Sequence, residues 1–313
     1  MMELTKHAEH NVCLQWIARK RAPGPIVSDN KPAVSIIIPT RNSARFLQNL
    51  LESINRQTYA PIETILVDGN STDGTLELAK EYDAQVLEYD PGLAVGKFDA
   101  PLRRNYGVKM SAGKFVYYVD ADMELPPSTV SEAVELCNSG ASAVIIAERS
   151  FGSGPWARAK ALERLAYVGD NAIEAPRFFI RKVWEELGGL DEALGGGGDD
   201  WDLHETLKGS KYRVERTRAT VMHNEGELRL TALLRKRYMY GQDSWKYIRK
   251  RPRAAIHSYF PIRAAYFRNW RQFAADPITT FLVIVMRLSE YGAGAVGAIV
   301  GITRHRQQAR LGK

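Results

Sequence analysis

Short β-rich apolar runs alternate with segments of helical periodicity from Ala33 onward. This order is typical of βαβ units, in which helices connect strands of a parallel sheet. Most of the runs are apolar at nearly every position, as expected for strands covered by helices on both faces. The predicted strands span 34–39, 63–68, 84–89, 114–120 and 142–148. The sequence therefore predicts an α/β fold with a mainly parallel mixed sheet.

The composition favours a folded protein that works in a reducing compartment. Hydrophobic residues make up 45% and charged residues 25% of the 313 positions, which is ordinary for a globular chain. The two cysteines, Cys13 and Cys137, lie far apart and lack the spacing of a metal site or a disulfide framework. The N-terminal segment, 1–31, has no apolar core of the kind that a secretory signal needs. We therefore expect the main body of the chain to stay on the cytoplasmic side.

Charge is distributed unevenly along the chain. Residues 229–313 contain 17 Lys and Arg against three acidic residues, whereas the preceding part is net acidic. The composition changes abruptly after Glu227, which places a domain boundary there. The predicted organisation is an N-terminal segment, a main α/β domain over 32–228, basic-aromatic interfacial helices over 229–277, and a membrane-inserted segment with a basic tail over 278–313.

Polar residues follow three of the predicted strands. The first strand is followed by Pro-Thr-Arg-Asn at 39–42, the second by Asp-Gly-Asn-Ser-Thr-Asp-Gly at 68–74, and the fourth by Asp-Ala-Asp at 120–122. Each sequence by itself is also a common turn or helix cap. Ligands of parallel α/β sheets bind outside the carboxyl ends of the strands, so we expect these residues to converge on one site.

Asp120 and Asp122 are the most informative of these residues. Two carboxylates beside an apolar strand repel each other unless a cation compensates them. Oxygen ligands favour Mg²⁺ or Mn²⁺, which commonly bridge carboxylates to phosphate oxygens. An isolated Asp-x-Asp sequence is also frequent in surface loops, so the assignment depends on the neighbouring motifs.

Five motifs together resemble the inverting family 2 glycosyltransferases. In order along the chain they are SIIIPTRN, ETILVDGNSTDGT, RRNYG, YYVDADM and GGGGDDWDL. The resemblance covers residues 33–225 and depends on the order and spacing of the set. It implies a GT-A fold, which is a Rossmann-like nucleotide-sugar-binding domain, and a nucleotide-sugar donor bound with Mn²⁺ or Mg²⁺.

The resemblance also implies roles for individual residues. Asp122 is expected to bind the metal, with Asp120 in support near the ribose or the metal. His223 is expected near the diphosphate or metal, and a hydrogen-bonded histidine at a strand end is an equally weighted alternative. The remaining donor-site residues are Pro39, Thr40 and Asn42 at the nucleotide, Asp68 and Asp73 at the base and ribose, and Arg104 and Asn105 at the diphosphate.

The general base is expected in the Asp-Asp pair that follows the Gly-rich loop at 195–198. The family has a Glu-Asp pair at this place, so the substitution leaves open which carboxylate faces the acceptor. Alignment on Trp201 favours Asp200 as the base. Asp199 is assigned to the donor site and is expected to cap the following helix.

The C-terminal part combines basic and aromatic residues with an apolar run. Basic and aromatic side chains suit either single-stranded nucleic acid or a membrane interface. The 24-residue run 278–301 contains only two charged residues, Arg287 and Glu290, and is long enough to cross a bilayer. The two are three residues apart and can pair on one helix face. We therefore predict membrane lipids, and no nucleic acid, as partners, with a transmembrane helix or a re-entrant hairpin.

The expected reaction is transfer of a hexose to a hydroxyl of a lipid-linked glycan at the cytoplasmic face of the cell membrane. Small membrane enzymes of family 2 that elongate polyprenyl-linked glycans suggest mannose from GDP-mannose, as in N-glycan or cell-surface glycan assembly. A UDP-sugar donor and transfer to polyprenyl phosphate itself are alternatives. A third alternative is a membrane or nucleic-acid binding module without enzymatic activity.

Overall fold

All five predicted strands are present in the computed structural model, which describes residues 33–90, 98–195, 198–260 and 263–311. The strands are β1 (Val34–Thr40), β2 (Ile62–Asp68), β3 (Gln85–Glu88), β4 (Phe115–Tyr118), β5 (Met123–Glu124), β6 (Ala143–Ser153), β7 (Phe178–Ile180) and β8 (Val214–Glu227). They form one sheet in the order β3-β2-β1-β4-β7-β6-β8-β5. The predicted N-terminal segment, Cys13 and part of the Gly-rich loop lie outside the described residues.

Helices connect the strands and extend beyond the last one. Those within the sheet domain are α1 (Ala44–Asn55), α2 (Thr75–Glu81), α3 (Ala100–Met110), α4 (Thr129–Asn138), α5 (Pro155–Tyr167), α6 (Arg181–Leu187) and α7 (Asp199–Lys208). Those that follow it are α8 (Leu230–Lys250), α9 (Pro252–Tyr259), α10 (Ala264–Arg268), α11 (Trp270–Ala275) and α12 (Pro277–Leu311). The chain thus changes from sheet to helices next to the predicted boundary at 228.

The sheet is covered on both faces, as the continuously apolar strands predict. Side chains of a strand point alternately to opposite faces. Ile36 and Ile38 accordingly pack in a core with Leu47 of α1, whereas Ile37 packs on the other side with Val108 of α3. The parallel pairing of β3, β2, β1 and β4 brings their carboxyl ends to one edge. That edge carries the predicted site.

The second half of the sheet differs from the simple βαβ pattern. The short strand β7 runs antiparallel to both β4 and β6, while β6 and β8 pair in parallel. β8 spans 14 residues and was not predicted from the sequence beyond a strand end at His223. Its residues are mostly half-buried, so they lack the continuous apolar character that identified the other strands.

Within the predicted interfacial helices at 229–277, the amphipathic stretch around Tyr259 to Trp270 predicts one continuous helix, and this prediction is wrong. The chain forms α9, α10 and α11 instead. The sequence has a proline at 261, which lacks the amide N–H that a continuous helix requires.

The long helix α12 packs against α8 through a seam of close backbone contacts. A Cβ atom added to Gly297 would lie 2.1 Å from the carbonyl oxygen of Tyr238, and one added to Gly301 would lie 2.0 Å from that of Gln242. Only glycine permits such an approach. The same face of α12 presents Glu290, which accepts from Arg237 at 2.9 Å and from the predicted partner Arg287 at 2.9 Å.

The opposite face of α12 is apolar and exposed. Its exposed side chains are Ile278, Phe281, Ile284, Leu288, Val296 and Ile299. Among the described residues, one helix is long and apolar enough to cross a membrane, 277–307, and 22% of its most apolar stretch is buried in the protein. α12 therefore has one face built for protein and another that lacks a protein partner within the described chain.

The glycine seam yields a test of this packing. We expect Gly297→Ala to destabilise the protein by ~1–3 kcal/mol, because the added methyl group collides with the backbone of α8. Gly292→Ala, on the same helix with open space around it, should be neutral or stabilising by up to ~1 kcal/mol. Chemical denaturation in detergent measures both. Equal effects of the two substitutions would refute the close packing of α8 and α12.

Candidate active site

The ends of β1 and β2 are joined by side-chain hydrogen bonds. Thr40 pairs with Asp68 in the parallel register, and its hydroxyl donates to Asp68 Oδ1 at 3.0 Å. Asp68 is buried, and its carboxylate also accepts from the amide and the hydroxyl of Ser71, at 2.7 and 2.6 Å. The carboxylate thus shapes the loop that follows β2.

The next residues of the two loops are connected in the same way. Asn42, which has a φ of 53°, accepts from the amide of Thr72 at 2.8 Å. Asp73 accepts from the amides of Ala44 and Thr75, at 3.1 Å each. Burial by itself would raise the pKa of Asp73, but its hydrogen bonds lower it. The predicted nucleotide-binding residues therefore form one continuous surface at the sheet edge, together with Pro39 at the end of β1.

Gly107 brings α3 onto the sheet. A Cβ atom at this position would lie 2.4 Å from Ile37 Cγ2 and 2.8 Å from Val67 Cγ2. The close approach places Arg103 and Arg104, one turn earlier, at the carboxyl ends of the strands. Arg103 donates to the Thr40 carbonyl oxygen at 2.6 Å and to Asp99 at 2.5 Å.

Arg104 connects the carboxylates that follow β4 to those that begin α7. Its guanidinium donates to Asp120 at 2.7 Å and to Asp199 at 3.1 Å, and it lies 3.4 Å from Asp200. It also lies over the ring of Tyr118, 4.8 Å from the centroid. Burial disfavours its charge, but the three carboxylates raise the pKa of Arg104 above its usual value.

Arg177 contacts the second oxygen of Asp120 and, like Arg104, connects it to other carboxylates. It donates to Asp120 Oδ2 at 3.0 Å and pairs with Glu148 at 3.0 Å and with Asp200 at 3.6 Å. Burial tends to raise the pKa of Asp120, yet Arg177 and Arg104 hold it far below its usual range. Both oxygens of Asp120 are therefore engaged by guanidinium groups.

The two aspartates at the start of α7 occupy different environments. Asp199 is 4% exposed, and burial together with the neighbouring Asp200 raises the pKa of Asp199 to about 7. Asp200 accepts from the Tyr118 hydroxyl at 2.9 Å and lines a cavity of about 470 Å³. Because Asp200 alone of the pair faces open space, its predicted position toward an acceptor agrees with this geometry.

Asp122 and His223 face each other across β5 and β8. His223 Nε2 lies 3.2 Å from Asp122 Oδ2, and Nδ1 lies 3.4 Å from Glu148 Oε2. Burial lowers the pKa of a histidine, but the hydrogen bonds to Asp122 and Glu148 raise that of His223 to about 9. The other oxygen of the Asp122 carboxylate, Oδ1, is buried and has no hydrogen-bond partner among the residues that the structure describes.

The Asp122 Oδ1 atom is therefore suited to act as a ligand of a cation. No group of three or more His, Cys, Asp or Glu side chains with metal-binding geometry occurs in the part of the chain that the structure describes. Asp122 and His223 would supply two ligands, and Mg²⁺ or Mn²⁺ bound through few protein groups completes its coordination with water and phosphate oxygens. The residues present thus fit a divalent ion that binds together with a diphosphate.

Comparison with known proteins identifies the domain that holds this site. Residues 35–190 match the family model described as glycosyl transferase family 2. The chain carries a family 2 glycosyltransferase domain. The matched residues extend from β1 to the loop before α7 and include the ends of β1, β2 and β4. The prediction of a family 2 glycosyltransferase is thereby confirmed for this domain.

Two curated relatives share part of it. The uncharacterized glycosyltransferase YibD of Escherichia coli K12 is 36% identical over 101 residues, which are 32% of this chain and 28% of YibD. The poly(ribitol-phosphate) β-N-acetylglucosaminyltransferase TarS of Staphylococcus aureus is 29% identical over 114 residues, 36% of this chain and 20% of TarS. The chain therefore matches less than a third of the length of either relative.

A solved structure matches nearly the whole chain. The mannosyltransferase PcManGT from Pyrobaculum calidifontis superposes with a TM-score of 0.55 and 20% identity, covering 95% of this chain and 96% of PcManGT. At this identity the likeness concerns the fold. It confirms the predicted GT-A-like α/β fold with a long C-terminal apolar helix.

Two predictions about single residues change in the structure. Asn105, expected beside the diphosphate, donates instead to the carbonyl oxygen of Leu190 at 2.8 Å, because successive residues of a helix point about 100° apart. Asp199 was expected to cap α7, but Gly198 is the N-cap, and no side chain caps the helix. Asp199 occupies the first turn, where an acidic residue is also favourable.

Sequence reasoning missed Arg177 and Glu148. Glu148 lies within β6 near the end of the predicted strand 142–148, so extending the strand-end rule to that strand would have found it. Arg177 precedes the three-residue strand β7 and has no comparable signal.

The environment of His223 yields a pH-dependent test. A histidine with a pKa of about 9 in the folded state and ~6.5 in the unfolded state stabilises the fold fully below pH ~6.5. This contribution is lost as the pH rises through 9. In metal-free protein, we expect wild type to lose ~2 kcal/mol more unfolding free energy than His223→Gln between pH 6.5 and 9. Denaturant titrations with a chelator measure it, and parallel curves for both proteins would contradict a charged His223.

Proposed function

We propose that the protein is an inverting, metal-dependent hexosyltransferase that moves a sugar from a nucleotide-sugar donor to a hydroxyl of a lipid-linked acceptor. The observation that carries this proposal is the position of Asp200. Its carboxylate lies at the boundary between the cavity and the Arg104 and Arg177 cluster, on the same sheet edge as Asp122. Asp200 can therefore act as a base on the cavity side of the site, where the acceptor would bind. The diphosphate of the donor would bind on the side of Asp122.

The site contains the groups that an inverting displacement requires. The acceptor hydroxyl oxygen forms a bond to the anomeric carbon while the bond to the nucleoside diphosphate breaks, and Asp200 receives the hydroxyl proton. The hydrogen bond from Tyr118 and the two guanidinium groups fix the orientation of Asp200. A divalent ion held by Asp122 and His223 would neutralise the negative charge on the leaving diphosphate.

Mannose from GDP-mannose is the donor that we propose first. PcManGT, whose fold extends over nearly the whole chain, is described in complex with GDP-Man and Mn²⁺. TarS is named as an N-acetylglucosaminyltransferase, which makes a UDP-linked N-acetylhexosamine the second candidate. The adjoining loops after β1 and β2 would bind the nucleotide in either case, because both donors share a nucleoside diphosphate.

Membrane association is supported by the exposed apolar face of α12. The segment before α12 also exposes large apolar side chains, namely Phe260, Phe267 and Trp270. Arg268 and Arg271 stand among them, as is typical of an interfacial surface. We propose that this surface enters the cytoplasmic leaflet of the cell membrane and presents the cavity to a lipid-linked acceptor.

Transfer to polyprenyl phosphate itself is the second candidate reaction. A phosphate acceptor is already ionised and needs no base. The placement of Asp200 at the cavity, hydrogen-bonded to Tyr118, favours a hydroxyl acceptor.

Two substitutions separate the roles of the aspartates. Asp200→Asn should slow sugar transfer by ~10² to 10⁴ while donor binding is preserved, because only the base is lost. Asp122→Asn should weaken Mn²⁺-dependent donor binding, since the orphaned ligand oxygen is removed. Release of nucleoside diphosphate and calorimetric titration of GDP-mannose measure the two effects.

The matched control is Asp83→Asn, an exposed residue at a φ of 53° that asparagine tolerates. It should retain wild-type activity. Full turnover by Asp200→Asn would exclude that residue as the base. The proposed function would be refuted if the wild type released no nucleoside diphosphate from any nucleotide sugar in the presence of Mn²⁺ and lipid-linked acceptors.

The membrane surface is tested by vesicle flotation. We expect the double substitution Ile284→Asp with Leu288→Asp to reduce co-flotation with vesicles of phosphatidylcholine and phosphatidylserine by at least ~10-fold, because two charges would enter hydrocarbon. Met110→Asp removes an exposed apolar residue from the sheet domain and should float as wild type does. Unchanged flotation of the double variant would show that α12 does not contact lipid.

A further inference from the structure

The cavity that Asp200 faces lies between the matched family segment and the helices that follow it. Its walls come from α5 and from the C-terminal helices α8, α9 and α12. Aromatic residues from several of these elements line it, namely Tyr167, Trp201, Tyr240, Tyr259 and Tyr291. Rings of this kind pack well against the apolar faces of sugars. The lining is therefore suited to a glycan next to the proposed base.

Every carboxylate that lines the cavity already has a cationic partner. Glu163 pairs with Lys160 and Arg287, and Glu290 pairs with Arg237 and Arg287. The others pair with arginines around the reaction centre and on β8, in the pairs Glu148 with Arg164 and Arg177, Glu174 with Arg216, and Asp200 with Arg104 and Arg177. No lining carboxylate of the described chain is left to bind a further cation.

Arg263 is the cationic side chain of the lining that has no carboxylate partner among the described residues. Its guanidinium lies over the Tyr167 ring, 5.1 Å from the centroid, and Nη2 donates to the Ser258 carbonyl oxygen at 2.8 Å. Its Nε and Nη1 atoms are buried without an acceptor. Burying a charged donor without a partner costs several kcal/mol of folding free energy, so an anion is expected to compensate it.

We propose that the cavity binds the acceptor and that Arg263 binds an anionic group of that acceptor, a phosphate or a carboxylate. The inference rests on the proposed function, since it takes Asp200 as the base for the acceptor hydroxyl. The Nε and Nη1 groups of Arg263 without an acceptor are charged donors of the kind that phosphate and carboxylate oxygens accept from. The acceptor is thus held at two points: its hydroxyl at Asp200, and its anionic group at Arg263 on the side of α12.

The shared chemistry is an anion attached to a sugar, and it has two sources. One is the phosphate that links a glycan to a lipid, which the exposed face of α12 would bring close to the cavity. The other is an acidic sugar within the acceptor glycan. Three probes with one pyranose ring and one alkyl chain distinguish them: decyl glucosyl phosphate, decyl glucuronide and the neutral decyl glucoside.

The experiment is calorimetric titration of the full chain in zwitterionic nanodiscs with each probe. We expect the wild type to bind at least one anionic probe ~10-fold or more tightly than the neutral glucoside, since hydrogen bonds to a charged group are worth that factor. A phosphate preference identifies a lipid-linked phosphate, and a glucuronide preference identifies an acidic sugar. Absence of any preference for an anion would overturn the proposal.

Substitutions assign the preference to Arg263. Arg263→Gln should reduce the ratio of anionic to neutral affinity to within ~2-fold, and Arg263→Lys should retain part of it, because lysine keeps the charge but lacks the planar donor set. Arg268→Gln, which removes an exposed arginine paired with Asp170 on the same segment, should keep the full ratio. A ratio that survives in Arg263→Gln would place the anion elsewhere and refute the assignment.

Donor turnover is measured in parallel, so that two failures can be told apart. Release of GDP from GDP-mannose, or of UDP from the UDP-sugars, tests the proposed function with the wild type alone. Turnover without an anionic preference would refute only the role of Arg263. No turnover with any donor and probe would refute the proposed function itself.

Discussion

The candidate site depends on the balance between four buried or half-buried carboxylates and two guanidinium groups. Asp120, Asp199 and Asp200 converge on Arg104, and Arg177 connects two of them to Glu148. These acids come from the loop after β4, from within β6 and from the start of α7, so no local interaction would bring all four together. The arginines make their burial possible, because uncompensated charges in such an environment would repel one another and resist desolvation.

This balance leaves a small number of groups free for chemistry. Asp120 is saturated by its arginines, whereas Asp122 keeps an oxygen without a partner and Asp200 faces the cavity. Under the proposed function, this arrangement separates the carboxylate proposed to bind a cation, Asp122, from the one proposed to accept a proton, Asp200. Gly107 is a precondition, since α3 can deliver Arg104 only by lying directly on β1 and β2.

The C-terminal helices extend the site from donor to acceptor. The glycine seam between α8 and α12 holds one face of α12 against the protein, and the other face remains apolar and exposed. Because Arg237, Arg263 and Arg287 of these helices line the same cavity as Asp200, the surface proposed to enter the membrane and the reaction centre belong to one structural unit.

Most of the sheet and the position of the candidate site could be predicted from local sequence patterns. Alternating apolar runs identified β1 to β4 and β6, and the polar residues after them identified the sheet edge that carries Thr40, Asp68 and Asp122. The sequence by itself determined these features because strand burial and strand ends depend on neighbours in the chain. Only the tertiary structure decided that Asn105 holds a loop, that Arg177 completes the cluster and that Arg263 has no carboxylate partner among the described residues. Those outcomes depend on contacts between residues far apart in sequence, which no local pattern encodes.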